Sequence, residues 1–201
     1  MEHLVSMTTR VPDGTAEDAL AVMRAREAAH SRELASEGHL LPLWRPPLQP
    51  GEWRSLGLFA ADDDAELEMV LASMPLRVWR TDDVTPLSPH RNDPGVRPSS
   101  PNDEAAGATE FLTTFTIAVP AGTPASLLDD TEAREAHRAH QLATEGRLRR
   151  LWRLPGVGRY LGLWRGRVTP EMDQILASLP LAAWMTVDIL ALSRHPSDPG
   201  P

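Results

Sequence analysis

The sequence predicts an α+β protein built from two βαββαβ units, and three observations predict it. The first is a repeat: Ala25-Arg26-Glu27-Ala28, Leu34-Ala35, Glu37-Gly38, Leu40 and Leu43-Trp44-Arg45 return, identically spaced, as Ala133-Arg134-Glu135-Ala136, Leu142-Ala143, Glu145-Gly146, Leu148 and Leu151-Trp152-Arg153. The second is its extent. Val11-Pro12 matches Val119-Pro120, 108 positions on, and after a loop three residues shorter Leu56-Gly57-Leu58, Trp79 and His90 match Leu161-Gly162-Leu163, Trp184 and His195. A period this long marks a duplicated domain rather than a solenoid. The third is the order of elements in each copy, strand, helix, strand, strand, helix, strand, read from residue periodicity.

Each element has a local reason. Glu2 to Thr9 is a short apolar run with β-branched residues and reads as a strand. Val11-Pro12-Asp13-Gly14 is a turn, and Thr15 is expected to cap a helix running to about Glu37, with Ala16, Glu17 and Asp18 at its positive end. Gly38 stops that helix, and a strand over Leu40 to Arg45 follows. Pro46 to Gly51 is a loop and Trp53 to Ala60 the antiparallel neighbour. Asp62-Asp63-Asp64 caps a helix over Ala65 to Ser73, Pro75 blocks its extension, and Val78 to Leu87 closes the unit as a strand.

The second copy repeats this with a strand from Glu110, a helix over Pro124 to Glu145, strands over Leu148 to Arg153 and Arg159 to Arg165, a helix over Thr169 to Ser178 and a strand over Ala183 to Leu192. The order is the ferredoxin-like, split βαβ arrangement, with two helices covering one face of a four-stranded sheet. The uncovered faces need burial, so the two units are expected to form an intramolecular pseudo-dimeric α+β barrel enclosing a chamber. The expected bounds are 1–89 for the first unit, 90–108 for a polar Pro/Ser/Asn/Asp/Gly linker, 109–195 for the second unit and 196–201 for a loose tail.

Composition narrows the function. The net charge of −8 disfavours nucleic acid, the one arginine-rich stretch, Arg147-Leu148-Arg149-Arg150, reading as a solvated strand edge, and the absence of cysteine excludes disulfides, zinc–thiolate sites and thiol nucleophiles. With no signal-like N-terminus and no apolar run of membrane-spanning length, a soluble cytoplasmic protein is expected, with no membrane partner. Six of the ten aromatic residues are Trp, a bias that suits either a packed core or an aromatic-lined chamber.

Several of these residues carry a resemblance. Ala25-Arg26-Glu27, the Glu-x-Gly helix end, Leu43-Trp44-Arg45, Leu71-Ala72-Ser73-Met74-Pro75-Leu76 and Asp83-Val84-Thr85-Pro86-Leu87 resemble muconolactone delta-isomerase, as do Ala133-Arg134-Glu135, Leu151-Trp152-Arg153, Ser178-Leu179-Pro180-Leu181 and Ser193-Arg194-His195-Pro196. The resemblance implies a cofactor-independent proton shift within an unsaturated lactone, in a family of single-domain proteins whose sites form between subunits. It places the family's proton-carrying glutamate on Glu27 and Glu135. Two departures stand out: the family's Tyr-Ala-Asn segment is Trp53-Arg54-Ser55 in the first copy, and Gly158-Arg159-Tyr160 with a deletion in the second.

The candidate site follows. Leu20, Met23, Glu27, His30 and Leu34 recur at helical spacing, so a carboxylate and a histidine fall on an otherwise apolar stripe, where desolvation would raise the carboxyl pKa. Glu27, His30 and Glu135 are therefore the expected proton carriers, with Arg138, in the place of His30, expected to hold Glu135 ionised. Trp44, Trp53, Trp79, Trp152, Trp164 and Trp184 are expected to line the chamber, Trp44 and Trp152 facing in with Arg45 and Arg153 facing away. Met23, Arg26 and Arg134 complete the expected binding set. His90 and His195 are expected in exposed loops. No grouping has zinc-ligand spacing, and neither metal nor other cofactor is expected.

The leading expectation is a cofactor-independent isomerase or cyclase, pericyclic ring closure included, acting on an unsaturated, hydrophobic polyketide-like small molecule of secondary metabolism. Two alternatives stand beside it: muconolactone-type proton transfer in aromatic catabolism, which requires arginines pointing into the chamber, and a non-catalytic small-molecule binding protein. A further homodimer of the fused unit is left open.

Overall fold

The computed structural model describes residues 1–95 and 109–198. The greater part of the expected linker, 96–108, and the end of the expected tail, 199–201, lie outside the described residues. The chain divides into two compact units: Met1–Leu87 with Ser193–Pro201, and Ser88–Leu192. Each unit thus takes in the stretch that ends the other copy of the repeat.

The first unit contains β1 (Glu2–Thr9), α1 (Glu17–Ser36), β2 (Leu40–Arg45), β3 (Arg54–Ala60), α2 (Asp64–Ser73) and β4 (Arg80–Pro89) up to Leu87. Its antiparallel sheet runs β4-β1-β3-β2, with Leu4 opposite Leu58 on one side and Thr85 on the other. On the outer edge of β2, Trp44 and Arg45 pair with Arg194 and Ser193. The second unit contains β5 (Thr109–Ile117), α3 (Ala125–Thr144), β6 (Leu148–Arg153), β7 (Arg159–Gly166), α4 (Thr169–Ala177) and β8 (Met185–Arg194) up to Leu192. Its sheet runs β8-β5-β7-β6, and Trp152 and Arg153 on the edge of β6 pair with Pro89 and Ser88. Among the described residues no helix is long and apolar enough to cross a membrane.

The two long helices end alike. Gly38 and Gly146 adopt φ of +83° and +72°, and the next amide reaches back, His39 N–H to the Leu34 carbonyl and Arg147 N–H to the Leu142 carbonyl, both at 2.8 Å. These are Schellman stops, which favour glycine because its missing Cβ permits the left-handed conformation. The helix starts differ from expectation. Thr15 does not cap α1; its hydroxyl donates to the Pro12 carbonyl at 2.7 Å, closing the preceding turn, and Thr123 does the same to Pro120. Asp63 does cap α2, accepting the Glu66 N–H at 2.8 Å. The last strands begin two residues later than predicted, because Pro75–Trp79 and Ala182–Trp184 form 3₁₀ turns first.

In each unit the helices cover one face of the sheet. Val5, Met7, Leu34, Leu43, Phe59 and Leu71 pack together in the first unit, and Phe111, Phe115, Leu142, Leu151, Trp164 and Met172 in the second. The Leu-Gly-Leu repeat serves this core. A Cβ on Gly162 would lie 2.3 Å from Nε1 of Trp164, so the bare strand lets the indole cross it and donate to the Thr113 hydroxyl at 2.8 Å. Gly162→Ala is expected to destabilise the protein by about 2 kcal/mol through overpacking, read from the urea denaturation midpoint.

Candidate functional site

Two cavities occupy corresponding places, each within one unit and between the sheet and its long helix. The first, of about 740 Å³, is lined from α1 by Arg24, Glu27 and Ser31, from β2 by Leu43 and Arg45, and from the start of β4 by Arg80. The loop after β2 adds Trp53, and the segment after β8 adds His195. Arg24, Glu27 and Ser31 are spaced three and four apart, so one helical face points at the cavity. That face is rotated from the predicted stripe of Met23, Glu27 and His30.

Glu27 lines the first cavity. Its Oε2 accepts the Leu76 N–H at 2.8 Å and its Oε1 the Arg80 Nη1 at 3.2 Å. Burial pushes the Glu27 carboxyl above its ordinary value, outweighing the Leu76 amide and the Arg80 charge that pull it down. The arginine's weak hold is intelligible, because Arg80 is engaged bidentately by Asp82, Nε to Oδ1 at 2.6 Å and Nη2 to Oδ2 at 2.9 Å. Its side chain is only 2% exposed and that of Asp82 3%. Arg77 adds a second cation to Asp82 at 3.2 Å.

His195 was expected in an exposed loop and instead lines this cavity. Its Nδ1 accepts the Ser197 N–H at 3.0 Å, which places its hydrogen on Nε2, and burial, followed by the Arg45 charge, lowers its pKa to about 4. Asp198 anchors the segment, its Oδ1 accepting the Leu43 N–H at 2.9 Å, although the tail was expected to be loose from residue 196. The other copy repeats the device: His90 Nδ1 accepts the Asn92 N–H at 3.1 Å and Asp93 Oδ1 the Leu151 N–H at 2.7 Å. Ser31 was also missed. Its buried hydroxyl has no hydrogen-bond partner and belongs to a residue that lines the cavity.

The second cavity, of about 270 Å³, is lined by Glu135, Phe115, Leu128, Leu151, Tyr160 and Trp164 among others. Glu135 Oε2 accepts the Leu181 N–H at 3.0 Å, reproducing the Glu27–Leu76 bond. Burial raises its pKa, and only that amide opposes the shift. Arg138 does not hold it ionised as expected; its guanidinium donates to the Ser178 hydroxyl at 3.0 Å, linking α3 to the end of α4.

The remaining predicted site residues fall outside both cavities. His30 spends both ring nitrogens elsewhere, on Glu33 at 2.8 Å and Ser73 at 2.7 Å, and thus bridges the helices as Arg138 does. Trp44 and Trp152 are buried, but strand alternation puts them on the sheet face opposite Leu43 and Leu151, so Arg45 and not Trp44 faces the cavity. Trp79 and Trp184 lie in the 3₁₀ turns, where their carbonyls accept the Arg10 and Ala118 amides. Arg26 is exposed, Met23 is half-buried outside the cavity, and Arg134 is paired with Asp130 at 3.1 Å. Of the six tryptophans, Trp53 lines the first of these two cavities and Trp164 the second, Trp53 beneath the Arg24 guanidinium at 4.6 Å. Among the described residues no three His, Asp or Glu side chains are grouped to hold a metal ion.

The fold and cavities define a tandem α+β protein that buries one protonatable carboxyl at the mid-helix position of each copy. The chain belongs to the muconolactone delta-isomerase family, whose model matches residues 1–93 and again 109–198. It is 31% identical over 87 residues to a muconolactone delta-isomerase of Cupriavidus pinatubonensis, spanning 43% of this chain and 95% of the relative. It is 27% identical over 88 residues to one of Rhodococcus opacus, spanning 44% of this chain and 95% of the relative. Among solved structures, a chlorite dismutase from Candidatus Nitrospira defluvii aligns at a TM-score of 0.59 and 10% identity over 98% of this chain and 92% of its own. A heme-binding protein from Thermus thermophilus aligns at 0.57 and 11%, over 98% of this chain and 93% of its own. At such identities the likeness shows the fold alone.

Two outcomes follow from this geometry. Arg80→Met, which installs the second copy's residue, is expected to cost about 3 kcal/mol of stability by leaving the buried Asp82 short of its bidentate partner, read by denaturant titration. For His195, the unfolded chain binds a proton below about 6.5 while the folded chain resists until about 4, so its contribution to stability is present above 6.5 and lost as pH falls through that window. Discounted for partial exposure, His195→Gln is expected to reduce the loss of stability between pH 7 and pH 4.5 by ~1–2 kcal/mol.

Proposed function

We propose that the protein is a cofactor-independent proton-transfer isomerase acting on an unsaturated lactone that carries a carboxylate, in the cavity of the first unit. One observation carries this reading: a buried carboxyl of raised proton affinity, Glu27, shares a cavity with Arg24, Arg45 and Arg80. Arg80 is committed to Asp82, but Arg24, over Trp53, and Arg45 suit an anionic substrate, as the catabolic alternative required, and family membership supports the same reaction class.

Glu27 as carboxylate removes a proton from the saturated carbon next to the conjugated double bond. The electron pair shifts along the conjugated system onto the lactone carbonyl oxygen, where the His195 Nε2–H and the Arg45 guanidinium are the available donors. The double bond then reforms one position over as Glu27 returns the proton to the other end. The same atoms enter and leave, and a carboxyl whose pKa lies closer to working pH serves both half-steps.

A second reading, isomerisation or ring closure of a larger apolar polyketide-like molecule, is supported by the cavity's size and by Trp53, Leu48 and Met74 on its wall. Turnover of muconolactone, followed by the change in ultraviolet absorbance, separates the two. Glu27→Gln keeps an oxygen for the Leu76 amide and is expected to lower kcat between about 10²- and 10⁴-fold, whereas Glu135→Gln is expected to stay within about twofold. The acid limb of kcat/KM should lie above 4.5, the ordinary value for glutamate. Undiminished turnover by Glu27→Gln overturns the assignment. No turnover by the wild type, with an apolar ligand bound equally by wild type and variant, identifies a binding protein.

A further inference from the structure

The duplicated cavity has not kept the chemistry of the first. At equivalent positions, Thr9 and Ser31 on the first wall become Ile117 and Ala139 on the second, and Ser55 becomes Tyr160. Arg24, over the first cavity, becomes Glu132, which is spent on Arg91 at 2.8 Å. Arg80 and Asp82 become Met185 and Val187, so the charged cluster beside Glu27 has no counterpart beside Glu135. The loop of Trp53 shortens to Leu154-Pro155-Gly156-Val157-Gly158. Val157 and Val119, 98% and 42% exposed, form an apolar lip on the cavity they line. Through all this the glutamate persists, held by the same type of amide.

We propose that the second unit's cavity is a separate binding site for a small, uncharged, mainly apolar ring compound bearing one hydrogen-bond acceptor, which Glu135 engages, while carboxylate-bearing molecules are confined to the first. The exclusion of anions follows from the wall itself: Arg24 and Arg80 are replaced, Arg153, the counterpart of Arg45, is exposed and does not line the cavity, and a carboxylate entering here would meet Glu135 with no unpaired cation on the wall to neutralise either group. Arg91 is the one cation on the wall, and it is paired. The ionisable groups sharing the cavity are His90, Arg91, Glu132 and Tyr160; burial and the Leu181 amide, not these, govern Glu135. With its proton on, Glu135 donates a hydrogen bond to a carbonyl oxygen and costs little to bury. The proposal does not rest on the isomerase reading, since it needs no turnover.

The test uses the indole N–H signals of the full chain, those of Trp164 and Trp53 assigned with Trp164→Phe and Trp53→Phe, and two probes of similar size: acetophenone, neutral, and benzoate, anionic. Acetophenone is expected to shift the Trp164 signal with an apparent affinity at least about tenfold tighter than benzoate, and benzoate to act preferentially on Trp53. The acetophenone response should weaken as pH rises and Glu135 ionises. In Glu135→Gln, which keeps both a donor and the acceptor for Leu181, the response should persist and lose its pH dependence. Equal or stronger action of benzoate on Trp164, no response of Trp164 to either probe, or a pH dependence unchanged in Glu135→Gln each overturns the proposal.

Discussion

The architecture turns on one contact made twice: a glutamate in the middle of the long helix accepts the backbone N–H at the turn before the last strand, Glu27 to Leu76 and Glu135 to Leu181. Those amides open 3₁₀ turns and would be orphaned donors in a largely buried place, so the carboxylate satisfies a need the backbone creates. The same contact pulls a carboxyl out of water. Satisfying the turn and raising the proton affinity of an acid are therefore consequences of one packing decision.

Around that constant the two copies have moved apart. In the first, Arg80, Asp82, Arg77 and Arg24 build a charged surround, and the extended loop after β2 brings Trp53 over the cavity. In the second, shortening of the loop and replacement of Arg24 and Arg80 leave a largely apolar wall around the same acid. Duplication within one chain allows this, because each cavity receives its own sequence, whereas identical subunits must keep one. What the copies share outside the glutamate is mechanical: the bridge from long helix to short helix made by His30–Ser73 and Arg138–Ser178, and the His-x-x-Asp clasp that ties down the end of each copy.

Much of the fold was legible because it rests on local rules. Glycine stops, the Asp63 cap, strand alternation and the repeat place every helix and strand within a few residues. Of the cavity walls, the sequence singled out Glu27 and Glu135, because a carboxylate recurs there on an otherwise apolar stripe. The histidines misled in both directions. His30 lies on the glutamate's helix and looked functional, yet is committed to Glu33 and Ser73. His195 and His90 looked like exposed loop residues, yet reach the cavities. The spacing of Arg24, Glu27 and Ser31 was a usable signal, obscured by the apolar neighbours that suggested a different helix face.

By itself the sequence determined the duplication, the order of elements in each unit and the two carboxyls, because repeats, periodicity and caps are properties of neighbouring residues. Only the tertiary structure decided which face of α1 meets the cavity, that Arg45 rather than Trp44 points into it, and that Arg80 and His195 stand with Glu27. Those residues lie 53 and 168 positions from the glutamate in the chain. Their meeting depends on strand register and on where each copy's end is pinned, and no local pattern encodes either.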